Sequence, residues 1–233
     1  MDFDTEAGAM ALIEFPAAPS YLENALARNV ELSVSDVESL TTKLLDTDSS
    51  VRRDGLRLFS FLGQEAIIFL DAALKSRFDS NRGARSNVMD GVISCTKNVN
   101  PDQTRLILEL ANDPDELVRE KVIAFIGAVS ISVLRSAIDG MDPKQRTPFA
   151  HALPIVENFG DDTQALFDKA IAQSDIESTF ALASLQRMAR AGVLDSLPSY
   201  SGSSYLANGC LTNTRRLMNG AARRRSGVKT RAR

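Results

Sequence analysis

One apolar pattern of helical spacing returns along this chain at intervals of 30 to 34 residues, and that recurrence narrows the possible folds sharply. Val51, Gly55, Leu58, Phe59 and Leu62 stand at offsets that place them on one face of a helix of about 3.6 residues per turn. The same offsets fit Ala84, Val88, Gly91, Val92 and Cys95, and then Val118, Val122, Phe125, Ile126 and Val129. A fourth copy reads Pro148, Ala152, Ile155, Val156 and Phe159, and a worn fifth reads Ala181, Leu185, Met188, Ala189 and Gly192. A fixed interval of this size predicts a stack of helix pairs, because one pair cannot bury its apolar face alone.

Between the copies the chain alternates a first helix, an acidic or polar turn, and the second helix. First members carry Leu40 and Leu44, then Ile67, Leu70 and Leu74, then Leu106 and Leu110, then Val133, Leu134 and Ile138, then Leu166, Ala170 and Ile171. The turns hold Asp46 to Ser50, Asp79 to Gly83, Asn112 to Glu116, Asp139 to Pro143, and Ser174 with Asp175. Short polar side chains there bond local backbone and cap helices. Gly63, Gly127, Gly160 and Gly192 are expected as left-handed residues closing the second helices, with Asn98 substituting in the second copy. Ser35 and Glu38 have the form of a capping box opening the first repeat.

The expected organisation is an N-terminal cap segment over 1–34, with a helix over Tyr21 to Arg28, a helical-repeat domain over 35–197, and a basic tail over 198–233. In the tail, Ser199 to Gly209 reads as a linker and Asn213 to Asn219 as a short helix. The rest is expected to be disordered alone, having too little apolar surface to offset its ordering entropy.

Charge separates the same two regions. The chain carries a net −3, but residues 198–233 contain Arg215, Arg216, Arg223, Arg224, Arg225, Lys229, Arg231 and Arg233 and no Asp or Glu. That is +8, leaving −3 − 8 = −11 for residues 1–197. Two cysteines make no disulfide framework, the acidic start has no basic leader region, and no run reaches the roughly 18 apolar residues of a membrane span. The expectation is a cytoplasmic chain, with Cys95 buried on a repeat helix.

The turn residues resemble a known family. Asp48-x-x-Val51-Arg52 and Asp115-x-x-Val118-Arg119 look like the turn and second-helix start of HEAT repeats, and Asn81-x-x-Ala84-Arg85 is similar with Asn in place of Asp. The resemblance covers about residues 36–192 and is strongest in the first three copies. Its interval is closer to the short HEAT-like subclass first noted in phycobilisome lyases. It implies a right-handed α–α superhelix, a HEAT-like solenoid of about five helix pairs. It also implies a ladder of hydrogen bonds through Asp48, Arg52, Asn81, Arg85, Asp115 and Arg119. Phe149 and Leu182 fall at the arginine position of the last two copies, so the ladder should stop there. Ankyrin and tetratricopeptide arrays share the interval, but their signature residues are absent.

Candidates for chemistry are few. His151 is the only histidine, and no nucleophile with a base is identifiable. Asp113, Asp115 and Glu116 read as a helix cap complementing the macrodipole. A glycosylase on such a scaffold would want a basic cleft with aromatics, and this body is acidic and lacks Trp. A lyase-like role would rest on the short repeat alone.

The expected function is therefore non-enzymatic, with no cofactor or metal: a scaffold or adaptor binding a protein or peptide, of basic character given the acidic surplus, on a concave surface. The alternative is a nucleic-acid-associated packaging or nucleocapsid-type protein, its arginine tail neutralising RNA or DNA phosphates. Tyr200 and Tyr205 could add base stacking there, although both lie outside the basic cluster. A solvated tail, a tail folded back on the acidic body, and a localisation signal compete with that reading.

Overall fold

The computed structural model describes residues 32, 34–158, 162–173 and 175–225. They are all-α: α1 Val34–Leu44, α2 Ser49–Phe61, α3 Leu70–Leu74, α4 Arg82–Ser94, α5 Pro101–Leu108, α6 Glu116–Ile126, α7 Ile131–Asp139, α8 Pro143–Glu157, α9 Thr163–Ala172, α10 Ile176–Ala191 and α11 Tyr205–Arg225. Short 3-10 turns, Gly63–Phe69 and Glu109–Asn112, precede α3 and follow α5. The expected helix over Tyr21 to Arg28 lies outside the described residues. The chain divides into two compact units, Met1–Cys95 and Thr96–Arg233, a division the repeat pattern does not announce.

In the first unit α2 lies along α4, with α1 against α2. Leu40, Leu44, Leu56, Phe59, Leu70, Val88 and Val92 are fully buried between them. Gly91 is a glycine because a Cβ there would fall 2.0 Å from the Phe59 ring. In the second unit α10 is the hub, packed against α6, α8, α9 and α11. Twelve of its 16 residues are buried, which only a helix covered on all sides achieves.

The helix caps reveal the repeat more cleanly than the apolar residues do. Asp48, Asn81, Asp115, Asp142 and Asp175 each accept a hydrogen bond from the first turn of α2, α4, α6, α8 and α10. The positions seven, ten, eleven and fourteen residues after the cap are buried in all five copies. After Asp48 these are Gly55, Leu58, Phe59 and Leu62; after Asp142 they are Phe149, Ala152, Leu153 and Val156.

The last two sequence registers are thereby corrected by three residues. The fourth apolar copy starts on Pro148, which is exposed, whereas the helix opens at Pro143 and carries Pro148 and Pro154 inside it. A slip of three residues stays near the same helix face, so periodicity alone cannot exclude it. The arginine position of these copies accordingly holds Arg146 and Thr179, not Phe149 and Leu182.

Smaller expectations also shift. α1 starts at Val34, which puts Ser35 inside its first turn. Gly63 and Gly192 are left-handed, at φ of 58° and 72°. Gly127 is not: it keeps helical φ, and a Cβ there would sit 3.0 Å from the Gln186 Cβ. Close approach to α10 is what that position requires. Gly160 and Phe159 lie outside the described residues.

Candidate functional site

The expected ladder residues form a repeated local device. Asp46, Asp79 and Asp113 each accept, through Oδ1, the backbone N–H two residues on, at 2.8, 2.9 and 2.9 Å. Those acceptor turns present Asp48, Asn81 and Asp115, which cap the following helix by taking the amides of Ser50, Gly83 and Leu117. Arg52, Arg85 and Arg119 then reach back with Nη1 to the carbonyls of Asp46, Asp79 and Asp113. Each arginine thus ties the start of its helix to the preceding turn.

The carboxylate partner differs from the one the resemblance implied. Arg52 donates Nε and Nη2 to Asp79 Oδ2 at 3.2 and 3.1 Å, so the rung in the first unit is Arg52–Asp79. Asp48 faces its own helix amides, and its carboxyl is held below the usual range by the Ser50 hydroxyl and amide. The turn is absent before α8, where Gly140 occupies the position two residues before the cap and Arg146 is exposed.

The tail behaves differently from its sequence expectation. The short helix expected over Asn213 to Asn219 extends in both directions, through residues expected as linker or disordered chain, to form α11 over Tyr205–Arg225, docked on α6 and α10. Ala207, Cys210, Thr214 and Ala221 are the buried seam. The seam was missed because these side chains are small and it does not read as hydrophobic; its signal is their recurrence at helical spacing. The acidic body helps hold it. Glu116 accepts the Leu206 amide at 3.3 Å, and Glu120 accepts the Asn213 amide side chain at 2.7 Å. A carboxylate at a helix N-terminus also opposes the positive end of the macrodipole. Upstream, the Tyr200 and Phe167 rings pack edge to face with centroids 5.7 Å apart, and the Tyr200 hydroxyl accepts the Ser204 amide.

The opposite face of α11 turns to solvent and carries the charge. Thr212, Arg215, Arg216, Asn219, Gly220 and Arg223 line an open concavity of about 430 Å³. Their spacing places them on one stripe, and Tyr205, 51% exposed, lies on the same stripe two turns before Thr212. Of the eight cations expected to act together, the structure therefore joins Arg215, Arg216 and Arg223. Arg224 instead reaches the Arg190 carbonyl at 3.5 Å. The Arg225 side chain, Lys229, Arg231 and Arg233 lie outside the described residues. Arg190 and Arg187 have guanidinium pKa values lowered by burial and then by the neighbouring cation, Arg224 and Arg190 respectively. Arg187 closes the end of α6 by donating to the Ile126 and Val129 carbonyls at 2.8 Å.

The remaining candidates are placed as follows. His151 is exposed on α8. Asp113 accepts the Asp115 amide in the turn, Asp115 accepts the Leu117 amide, and Glu116 is engaged by α11 and by Arg119 at 3.8 Å. Burial pushes the Cys95 thiol up to about 11 and the Cys210 thiol up to about 12, so both stay protonated near neutral pH. No group of three metal-ligating side chains occurs among the described residues, and no single helix among them is long and apolar enough to cross a membrane. Comparison of the chain with protein-family models, curated proteins and solved structures finds no match.

Proposed function

We propose that this chain is a non-enzymatic helical-repeat scaffold of HEAT-like type that binds nucleic acid along the outward face of α11. The observation that carries the reading is the stripe of Arg215, Arg216 and Arg223, in a segment with no carboxylate, on a helix already anchored through its other face. Arginines carried on one face of a docked helix meet a phosphate chain with their backbone already ordered, so less entropy is lost on binding. The recurring cap, the returning arginine and the buried positions after each cap support the HEAT-like solenoid. In the second unit the hub position of α10 is a departure from simple successive stacking.

The test is fluorescence anisotropy of labelled oligonucleotides with the full chain between about 50 and 200 mM salt. Three phosphate contacts give a slope of log affinity against log salt of roughly −2 to −3, steeper if further tail cations join. Absence of binding at the low-salt end contradicts the reading. The second reading is an adaptor for a basic protein or peptide, favoured by the −11 carried by residues 1–197. Such a partner would compete with neither oligonucleotide nor arginine substitution on α11.

A further inference from the structure

We infer that the phosphate track of α11 continues onto α10, with one phosphate of the bound strand held between Arg190 and Arg224. The inference rests on the nucleic-acid reading above and adds a subsite on a second helix. Thr212, Arg216 and Gly220 all line the concavity and stand four residues apart, and Arg224 is the next member of that row. Each step of four residues overshoots a full helical turn by about 40°, so the row winds round α11 instead of staying on its outer face. Arg224 is where it meets α10. Its Nη1 lies 3.7 Å from the point that a Cβ on Gly220 would occupy, at the edge of the concavity. Its Nη2 lies 3.5 Å from the carbonyl of Arg190, in the last turn of α10.

Two cations meet there without an anion. Arg190 keeps an exposed surface, even though partial burial and then the Arg224 charge lower its pKa. Among the described residues no carboxylate pairs with either guanidinium, and residues 198–233 contain none. Arg187, one turn earlier on α10, is taken up by the Ile126 and Val129 carbonyls, whereas Arg190 has no such task. The long contact of Arg224 to a backbone carbonyl leaves its remaining N–H groups for a ligand. A phosphate between the two replaces their mutual repulsion with charge-assisted hydrogen bonds. The spacing suits a strand. Arg216 and Arg224 are eight residues apart, about 12 Å along a helix axis. At a rise of about 3.4 Å per nucleotide, roughly four nucleotides cover that length. An isolated phosphate ion would use the pair but not the row of residues that leads to it.

The experiment measures the full chain against labelled oligothymidylate of about twelve nucleotides across the same salt range, with Arg190→Gln, Arg224→Gln and the double variant beside the native protein. Each single variant is expected to weaken binding about threefold to tenfold at the low-salt end. The double variant loses less than the product of the single losses, because both remove one shared contact. Its salt slope falls by roughly 0.7, the share of one single-strand phosphate. Arg190→Lys retains the slope and stays within about threefold of native affinity, since the charge remains without the fork. A melting curve for each variant confirms that α11 stays docked. Unchanged affinity and slope in the double variant, or single losses that multiply in full, overturn the inference. So does displacement of the oligonucleotide by millimolar inorganic phosphate at matched ionic strength, or equally tight, Arg190-dependent binding to phosphatidylserine vesicles. Failure of the native chain to bind the oligonucleotide overturns the underlying reading instead.

Discussion

Arg52, Arg85 and Arg119 and the trio Arg215, Arg216 and Arg223 are the same residue put to opposite uses. The first three stand six residues after an aspartate turn, and each guanidinium is drawn inward to a carbonyl of that turn. The second three sit on the outward stripe of α11, in a segment without Asp or Glu, and face solvent. The distinction is set locally. An arginine becomes structural when it stands one helical turn after a cap whose preceding turn offers carbonyls, and it stays on the outer face when it lies opposite its helix's buried seam. Net charge records neither fate.

Substitutions can break this contrast, most strongly at Asp79. Its carboxylate, 2% exposed in the side chain, holds the Arg52 fork and the Asn81 amide together. Asp79→Ala is expected to cost about 3 kcal/mol, since it strands a partly buried cation and an amide at once. Chemical denaturation checks this; a loss under about 1 kcal/mol would mean that the rung contributes little. Next, Arg119→Ala should cost about 2 kcal/mol, the range for a hydrogen bond to a charged group. Arg119→Lys should recover only part of this loss, because an ammonium lacks the planar fork.

The caps give a smaller effect with a pH signature. Asp175→Ala is expected to lower stability by about 1 kcal/mol. Burial raises the Asp175 carboxyl, but the Ser178 hydroxyl and amide outweigh it and hold the group below its usual 3.8. A carboxyl lowered in the folded state stabilises fully above its unfolded value, and that stability disappears as pH falls through the folded one. The difference between the native chain and Asp175→Ala should therefore be constant near neutrality and shrink below about pH 4. A difference that grows on acidification would contradict the assignment.

The helical class, the alternation of helices and the first three repeat registers were legible because Val51, Ala84 and Val118 follow unmistakable caps at Asp48, Asn81 and Asp115. The last two registers were not. Interior prolines in α8 imitate a helix start, and in α10 nearly every position is apolar or small, so no face stands out. Asp79 was overlooked as the carboxylate rung because its distance from Arg52, 27 residues, is visible only once α2 and α4 are packed. The arginine tail was visible as composition. Its docking was not, since Ala207, Cys210 and Thr214 bury without looking hydrophobic, and Gly209 admits the Glu120 carboxylate where a Cβ would lie 2.7 Å from it.

The most direct test of the division between inward and outward arginines is the triple substitution Arg215→Gln, Arg216→Gln and Arg223→Gln, measured for both stability and salt-dependent oligonucleotide binding. The expected result is a stability within about 0.5 kcal/mol of the native chain, with the salt slope reduced by about 2. A folded triple variant that binds with unchanged affinity and slope would contradict the assignment of α11 as the binding face.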